Sequence, residues 1–227
     1  MKKLFPQVPS VALPTQHLTQ FLALLLFLAL PLLASAQKYE PSTLKPGDYI
    51  INSRVDGSLV VIDGGLRDDG IVDKDLRAIK DRVVGIVAAV KGGQAIVIDL
   101  KDCPAKKAFS VVESKDKTFQ GSAIIPKKWA HERSNQTHLD MRIPTVAEAE
   151  SFHYEAIQHS LQQLIDAGRE DVALVHGGSD YWTIDYSRPD YPKAYAWYHY
   201  KGRIKTHLRE PTAKLFLRTV FSFRPKK

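Results

Sequence analysis

Short apolar runs separated by turn residues dominate the first half of the chain. Tyr49–Ile51 and Leu59–Ile62 have the residue types and length of strands, and Asp56-Gly57 between them is a strong turn pair. The glycine- and aspartate-rich segment Asp63–Asp73 lacks the ligand spacing and closing glutamate of a calcium-binding EF-hand loop. We therefore expect an ordinary polar loop there.

The clearest hairpin follows. Val83–Val90 and Gln94–Leu100 are rich in β-branched residues and are joined across Lys91-Gly92-Gly93. Because apolar residues are nearly continuous in both runs, the pattern predicts strands that are buried on both faces.

A helical pattern begins after Pro144. Thr145 and Glu148 match the S/T-x-x-E capping box, in which each side chain accepts a hydrogen bond from the other residue's backbone amide. Gly168 stands where a helix C-terminal cap belongs. The run is either one long helix or two consecutive helices broken near His153 to His159. Its apolar residues recur at helical spacing: Ala149, Phe152, Ala156, Ile157, Leu161, Leu164 and Ile165.

Aromatic residues and short alternating stretches mark the last part of the chain and predict antiparallel strands. A set of helices between two groups of strands indicates an α+β domain. The predicted strands are Tyr181–Ile184, Tyr195–Tyr200 and, after a Lys201-Gly202 turn, Arg203–Leu208 and Leu215–Phe223.

The amino terminus has the organisation of a secretory signal peptide: Lys2 and Lys3, an apolar stretch at Phe21–Leu33, and small residues at Ala34–Ala36. The apolar stretch is shorter than the roughly 20 residues that a membrane span needs. We expect cleavage after Ala36 and an exported protein of the bacterial periplasm or cell surface. We expect the segments to be a signal peptide at 1–36, a linker at 37–46, a β-rich part at 47–125 and a second part at 126–227, with 47–227 forming one compact unit.

The charge and the cysteine count of the chain exclude some classes of protein. The chain has 32 basic and 25 acidic residues, and loss of Lys2 and Lys3 with the signal would lower its formal net charge from +7 to +5. The charges are mixed, and we identified neither a basic stripe nor a nucleic-acid-binding motif, so no nucleic-acid partner is expected. Cys103 is the only cysteine, which excludes an intramolecular disulfide. We expect a packed or partly exposed thiol there rather than a nucleophile.

Four motifs in a fixed order then suggest a family. They are Arg142-Ile143-Pro144-Thr145, Tyr181-Trp182-Thr183, Ala196-Trp197 with Gly202, and Leu217-Arg218-Thr219-Val220. In these the sequence resembles the formylglycine-generating-enzyme-related branch of the C-type-lectin-like fold, in particular exported bacterial domains of the DUF1566 and Fibrobacter succinogenes major paralogous type. Met141 stands where that pattern has tryptophan, and Phe221 replaces its final arginine.

The resemblance implies two helices packed on a small twisted antiparallel sheet, preceded by a β-rich lead-in. It also implies a binding face in the irregular region and hairpin near the end of the domain. The residues it makes structural are Arg142, Pro144, Thr145, Glu148, Trp182, Trp197 and Arg218. The candidate ligand-binding residues are Tyr186, Tyr191, Tyr195, Tyr198, His199 and Tyr200.

These features favour a non-catalytic binding or adhesion domain of the cell envelope that recognises a glycan or a protein and needs no cofactor and no metal. Formylglycine-generating activity requires cysteines near the end of the domain, and none is present there. One alternative is a structural subunit of a surface or fimbrial assembly. Another is a metal-dependent hydrolase that uses His131, His138 and Asp140, although Asn135 stands where an H-E-x-x-H motif needs its second histidine.

Overall fold

The computed structural model describes residues 43–66, 70–108, 124–184, 194–210 and 212–225. Two antiparallel sheets and a set of helices make up this part of the chain. The strands are β1 (Tyr49–Asn52), β2 (Leu59–Ile62), β3 (Val83–Lys91), β4 (Gln94–Ile98), β5 (Tyr181–Trp182), β6 (Ala194–Tyr200), β7 (Arg203–Arg209) and β8 (Val220–Phe223). The α-helices are α1 (Asp73–Ile79), α2 (Ile124–Thr137), α3 (Val146–Glu150) and α4 (Tyr154–Asp166), and a 3₁₀ turn at Lys80–Arg82 follows α1.

The larger sheet has the order β2-β1-β3-β4-β8, and every neighbouring pair is antiparallel. Both predicted hairpins are confirmed. Gly92 and Gly93 form the two-residue loop between β3 and β4, with φ of 58° and 74°. Positive φ at both loop residues is what a tight hairpin turn with native strand twist requires. Because β8 pairs with β4, residues from both ends of the described chain share this sheet.

Apolar residues fill both faces of the larger sheet, as the continuous β-branched runs predicted. On one face, Tyr49 and Ile86 belong to a buried cluster that includes Leu161 and Leu164 of α4. On the other face, Val87 and Phe221 belong to a second buried cluster, which includes Ile50, Val61, Val97 and Met141.

The capping box is confirmed at the start of α3. Thr145 accepts a hydrogen bond from the Glu148 amide, and the Glu148 side chain accepts one from the Thr145 amide. The helical run is two helices, and the break lies at residues 151–153, where the amide of His153 donates to Ala88 in β3. Gly168, at φ 84°, ends α4 in a Schellman arrangement, as predicted.

Helix α2 was not predicted from the sequence. Few apolar residues lie on this helix, so the sequence shows no set of apolar residues at helical spacing that would predict it. A buried ion pair holds it to the larger sheet instead. Arg133 donates to both carboxylate oxygens of Asp99 at 2.8 Å, and Thr219 donates to the same carboxylate at 2.7 Å.

The second sheet has three strands in the order β5-β6-β7. Two of the strands predicted for the last part of the chain are shorter than expected. Only Tyr181 and Trp182 of the first run pair as a strand, and the last run is reduced to β8, preceded by isolated bridges at Leu215 and Phe216. Helix α3 packs on β6 and β7 of the smaller sheet, and α4 packs on β3 of the larger one. The architecture is α+β, as predicted.

Within the described ranges, each helix is too short or too polar to cross a membrane.

Candidate binding surface on the second sheet

The β6–β7 hairpin has one face that packs against the helices. The ring of His199 stacks on that of Tyr154 in α4, with centroids 3.6 Å apart and planes 4° from parallel. Thr206 donates a hydrogen bond to Glu150 in α3, and Ile204 packs against the main apolar cluster. This inner face therefore fixes the hairpin to the body of the domain.

The opposite face has a different composition. Strand pairing places Tyr200 directly across from Arg203, Tyr198 across from Lys205, and Ala196 across from His207. Directly opposed residues of an antiparallel pair project to the same side, so aromatic and cationic side chains share one face. We call this set the basic stripe, and it consists of Tyr198, Tyr200, Lys201, Arg203, Lys205, His207 and Arg209.

Only part of this outer face is covered. At the Ala196 end, Ala196 and Trp182 pack in a third apolar cluster with Ile143 and Leu217. At the hairpin end, Tyr200 is 46% exposed, and Arg203 and Lys205 are exposed as well. The exposed part therefore runs along β7, which is the edge strand of its sheet.

Cations surround the exposed ring of Tyr200. The Lys205 ammonium lies 5.0 Å from the ring centroid and that of Lys201 lies 5.2 Å from it, both within cation–π range. Within the described parts of the chain, Lys201, Arg203 and Lys205 have no carboxylate within ion-pair distance. Among the described residues, these three charges therefore have no local counter-charge.

The other end of the stripe is held by Asp180. The His207 ring stacks on that of Tyr198 with centroids 4.6 Å apart, and its Nε2 lies 3.0 Å from an Asp180 carboxylate oxygen. Arg209 forms an ion pair with the same carboxylate. The Asp180 side chain is only 10% exposed, so it orients these two residues more than it offers charge to a ligand.

The predicted ligand-binding residues are distributed over more than one surface. Tyr198 and Tyr200 lie on the outer face, whereas Tyr195 and His199 alternate with them and belong to the inner side. Tyr195 and Tyr198 are half-buried, and the His199 side chain is 18% exposed. Tyr186 and Tyr191 lie outside the described residues.

The link between the β8 region and helix α3 contains four of the motif residues: Arg142, Pro144, Thr145 and Glu148. Arg142 donates two hydrogen bonds of 2.6 Å to the Glu148 carboxylate. Burial by itself raises the pKa of Glu148, but the hydrogen bonds from Arg142 and Thr145 outweigh it and hold that pKa below its ordinary value. Pro144 is buried, and its carbonyl accepts from the Ile184 amide.

The two predicted core tryptophans are buried, at 0% exposure for Trp182 and 1% for Trp197. Trp197 stacks on Tyr181 with centroids 4.5 Å apart and meets Phe152 edge to face. Trp182 donates to the Lys107 carbonyl at 2.7 Å. Both tryptophans are therefore buried in the core of the described structure.

Arg218 takes part in a second polar cluster, around Asp102. Arg218 donates to one Asp102 oxygen at 2.5 Å, and the Tyr181 hydroxyl donates to the other at 3.0 Å. Burial and the nearby Asp102 carboxylate raise the pKa of Tyr181. His176 lies 3.7 Å from the same carboxylate, beyond hydrogen-bond distance. Both Asp102 oxygens are thus occupied by groups that fix the fold, and neither orients a histidine for proton transfer.

The residues proposed for a hydrolytic metal site are on the surface. His131 is an exposed residue of α2, and His138 and Asp140 are exposed beyond its end, with His138 at φ 57°. In the part of the chain that the structure describes, no three histidine, cysteine or acidic side chains converge as metal ligands would.

The basic stripe was missed by the sequence interpretation, which noted mixed charges along the whole chain. The signal was local. In the segment Arg203–Arg209, basic residues or histidine occupy every second position, and a strand turns a period of two into one continuous row.

Comparison of the chain with models of protein families, with curated proteins and with solved structures gives no match.

Proposed function

We propose that this protein is a non-catalytic binding domain of the bacterial cell envelope, exported by its amino-terminal signal, and that the basic stripe is its ligand-contacting surface. The observation that carries the proposal is the asymmetry of the β6–β7 hairpin. One face is fixed by contacts with α3 and α4, and the other presents an exposed tyrosine among cations that lack acidic neighbours in the described residues.

The physical properties of the stripe suit binding. A tyrosine ring provides a large rigid contact area at a low cost in side-chain entropy. A hairpin that is held on its inner face changes little when a ligand arrives, so little ordering free energy opposes association. We extend the proposal to the fold and assign the domain to the C-type-lectin-like type, since the motif residues Arg142, Trp182, Trp197 and Arg218 all support the core or its ion pairs.

The charged clusters away from the stripe support binding over catalysis. Asp102 is occupied by Arg218 and Tyr181, and Asp99 is occupied by Arg133 and Thr219. A general base needs a free lone pair within hydrogen-bond reach of a reacting proton. The four hydrogen bonds that Asp99 accepts fill its acceptor sites, and the Asp102 carboxylate is held as the counter-charge of the buried Arg218.

A binding screen tests this proposal. The purified protein is applied to an array of glycans and to envelope proteins, alongside Tyr200→Ala and His176→Ala. We expect a hit that weakens about tenfold in Tyr200→Ala, which corresponds to a contact residue contributing more than about 1 kcal/mol. His176→Ala, beside the Asp102 cluster, is the matched control and should bind like wild type. Loss of binding only in His176→Ala would contradict the proposal, as would zinc-dependent turnover of an ester or phosphate substrate with no binding.

A further inference from the structure

We infer that the ligand of the basic stripe is an acidic polysaccharide, a chain of sugars that carries carboxylate or sulfate groups at intervals. This inference rests on the proposed function and narrows its ligand class. Four cationic residues, Lys201, Arg203, Lys205 and Arg209, lie on or beside the exposed face of one hairpin, and Asp180 is the single acidic side chain among their ion-pair partners in the described residues.

The spacing of the cations suits an extended polyanion. Residues two apart on a strand are about 7 Å from each other, so the row from Arg203 to Arg209 extends over about 20 Å. A compact ligand such as a single phosphate would touch one or two of these groups. A linear chain with repeated negative charges can meet all of them in one straight binding mode.

The aromatic side chains indicate what the ligand contains besides negative charge. Tyr200 presents an exposed ring within 5.0 and 5.2 Å of two ammonium groups. An apolar ring beside cations fits a molecule that alternates a stacking surface with a negative charge, as an acidic sugar does. The expected signal peptide places such polymers, rather than cytoplasmic nucleic acid, within reach of the protein.

The same cations have a second physical effect, which the experiment must distinguish from ligand binding. Charged side chains on an edge strand discourage pairing between the edges of two molecules. Replacing Arg203 and Lys205 by glutamate keeps the protection against edge pairing, because side chains of either charge discourage such pairing. The same replacement turns the attraction for a polyanion into repulsion. Glutamate variants therefore isolate ligand recognition from edge protection.

The experiment compares Arg203→Glu/Lys205→Glu with Lys74→Glu/Arg77→Glu, which makes the same change of charge on the exposed residues of α1. Alginate and heparin serve as acidic polysaccharides, dextran as the neutral one, and single-stranded DNA and polyglutamate as other polyanions. Size-exclusion chromatography and thermal melting verify that both variants stay folded and unassociated. Affinities are measured by calorimetry or biolayer interferometry at several salt concentrations.

We expect wild type to bind alginate or heparin and not dextran, and we expect the stripe variant to bind at least tenfold more weakly while the α1 variant stays within twofold of wild type. With up to four cations contacting the polymer, log Kd should rise with log salt with a slope of up to about 3. An equal loss in both variants would overturn the inference, since it would show attraction by net charge alone. Tighter binding to DNA or polyglutamate than to either polysaccharide would overturn the ligand class.

The two proposals can fail separately. Binding of a neutral glycan or a protein that still depends on Tyr200 would refute the acidic ligand and leave the contact surface in place. Binding that is insensitive to every stripe substitution would refute the contact surface itself.

Discussion

Cys103 shows at the residue scale how burial decides chemical behaviour. Burial raises the pKa of its thiol, and the side chain lies in the third apolar cluster with Trp182 and Leu217. Nucleophilic attack requires the thiolate, so both the raised pKa and the lack of access suppress reactivity.

We therefore expect Cys103 to react with a disulfide reagent such as DTNB far more slowly in the native protein than free glutathione does. In guanidinium chloride, one equivalent should react at the rate of a free thiol. Absorbance at neutral pH follows both reactions. Rapid stoichiometric labelling under native conditions would show that the thiol is accessible and would contradict the structure.

Asp99 is the other informative single residue, because its carboxylate attaches α2 to the larger sheet. The side chains of Asp99 and Arg133 are only 1% and 7% exposed. Removing the charge of one partner leaves the other buried without compensation, which typically costs 3–5 kcal/mol.

We expect Asp99→Asn to lower the free energy of unfolding by about 3 kcal/mol in urea titrations. Asp171→Asn is the control, because Asp171 also pairs with an arginine, Arg169, but its side chain is 51% exposed. An exposed pair of this kind contributes less than about 1 kcal/mol. Similar losses in the two variants would mean that Asp99 is not buried as described.

At the scale of elements, helix α3 begins with the charged pair of Arg142 and Glu148, whose contribution to the stability of the fold depends on pH. The pKa of Glu148 is held below its ordinary value mainly through Arg142 and Thr145, against the opposing effect of burial. A carboxyl group with a lowered folded-state pKa stabilises the fold above its unfolded pKa, and this contribution is lost as pH falls through the folded pKa.

Glu148→Gln should therefore be less stable than wild type at pH 7, and the difference should shrink as pH falls below about 4. Urea unfolding of both proteins from pH 7 to pH 3 measures it. Glu170→Gln, at an exposed position after α4, should show no such trend. A stability difference that grows toward low pH would give the wrong sign and refute the role of the Arg142 pair.

The elements that could be predicted from the sequence are those with a local sequence signal, such as a turn pair or a helix cap. The β3–β4 hairpin followed from Gly92-Gly93 between β-branched runs, and α3 followed from its capping box. Helix α2 could not be found in this way, because a buried ion pair with a residue far along the chain holds it in place and no apolar stripe marks it. Long-range pairing leaves no local periodic signal.

The candidate site was only partly predictable for a related reason. The aromatic residues of β6 stood out by composition, but alternation divides them between two faces, and the sequence did not say which face the helices cover. The cations of β7 were visible as alternate positions in a predicted strand. They became one surface with Tyr198 and Tyr200 only through the register between β6 and β7.

At the scale of the whole described structure, each sheet has its own packing helix. Helix α4 packs on β3 of the larger sheet, and α3 packs on β6 and β7 of the smaller one. The larger sheet is buried on both faces, whereas the edge strand β7 of the smaller sheet carries exposed charge. This contrast is why we propose the smaller sheet as the surface that contacts a ligand.

Mapping of amide chemical shifts by NMR during titration with alginate oligosaccharides tests this assignment most directly. The account predicts that the largest shifts fall on Tyr198–Arg209 and saturate together with one Kd, and that Arg203→Glu/Lys205→Glu abolishes them. Shifts that cluster instead around Asp102 and His176, or on α2 near His131 and His138, would contradict it.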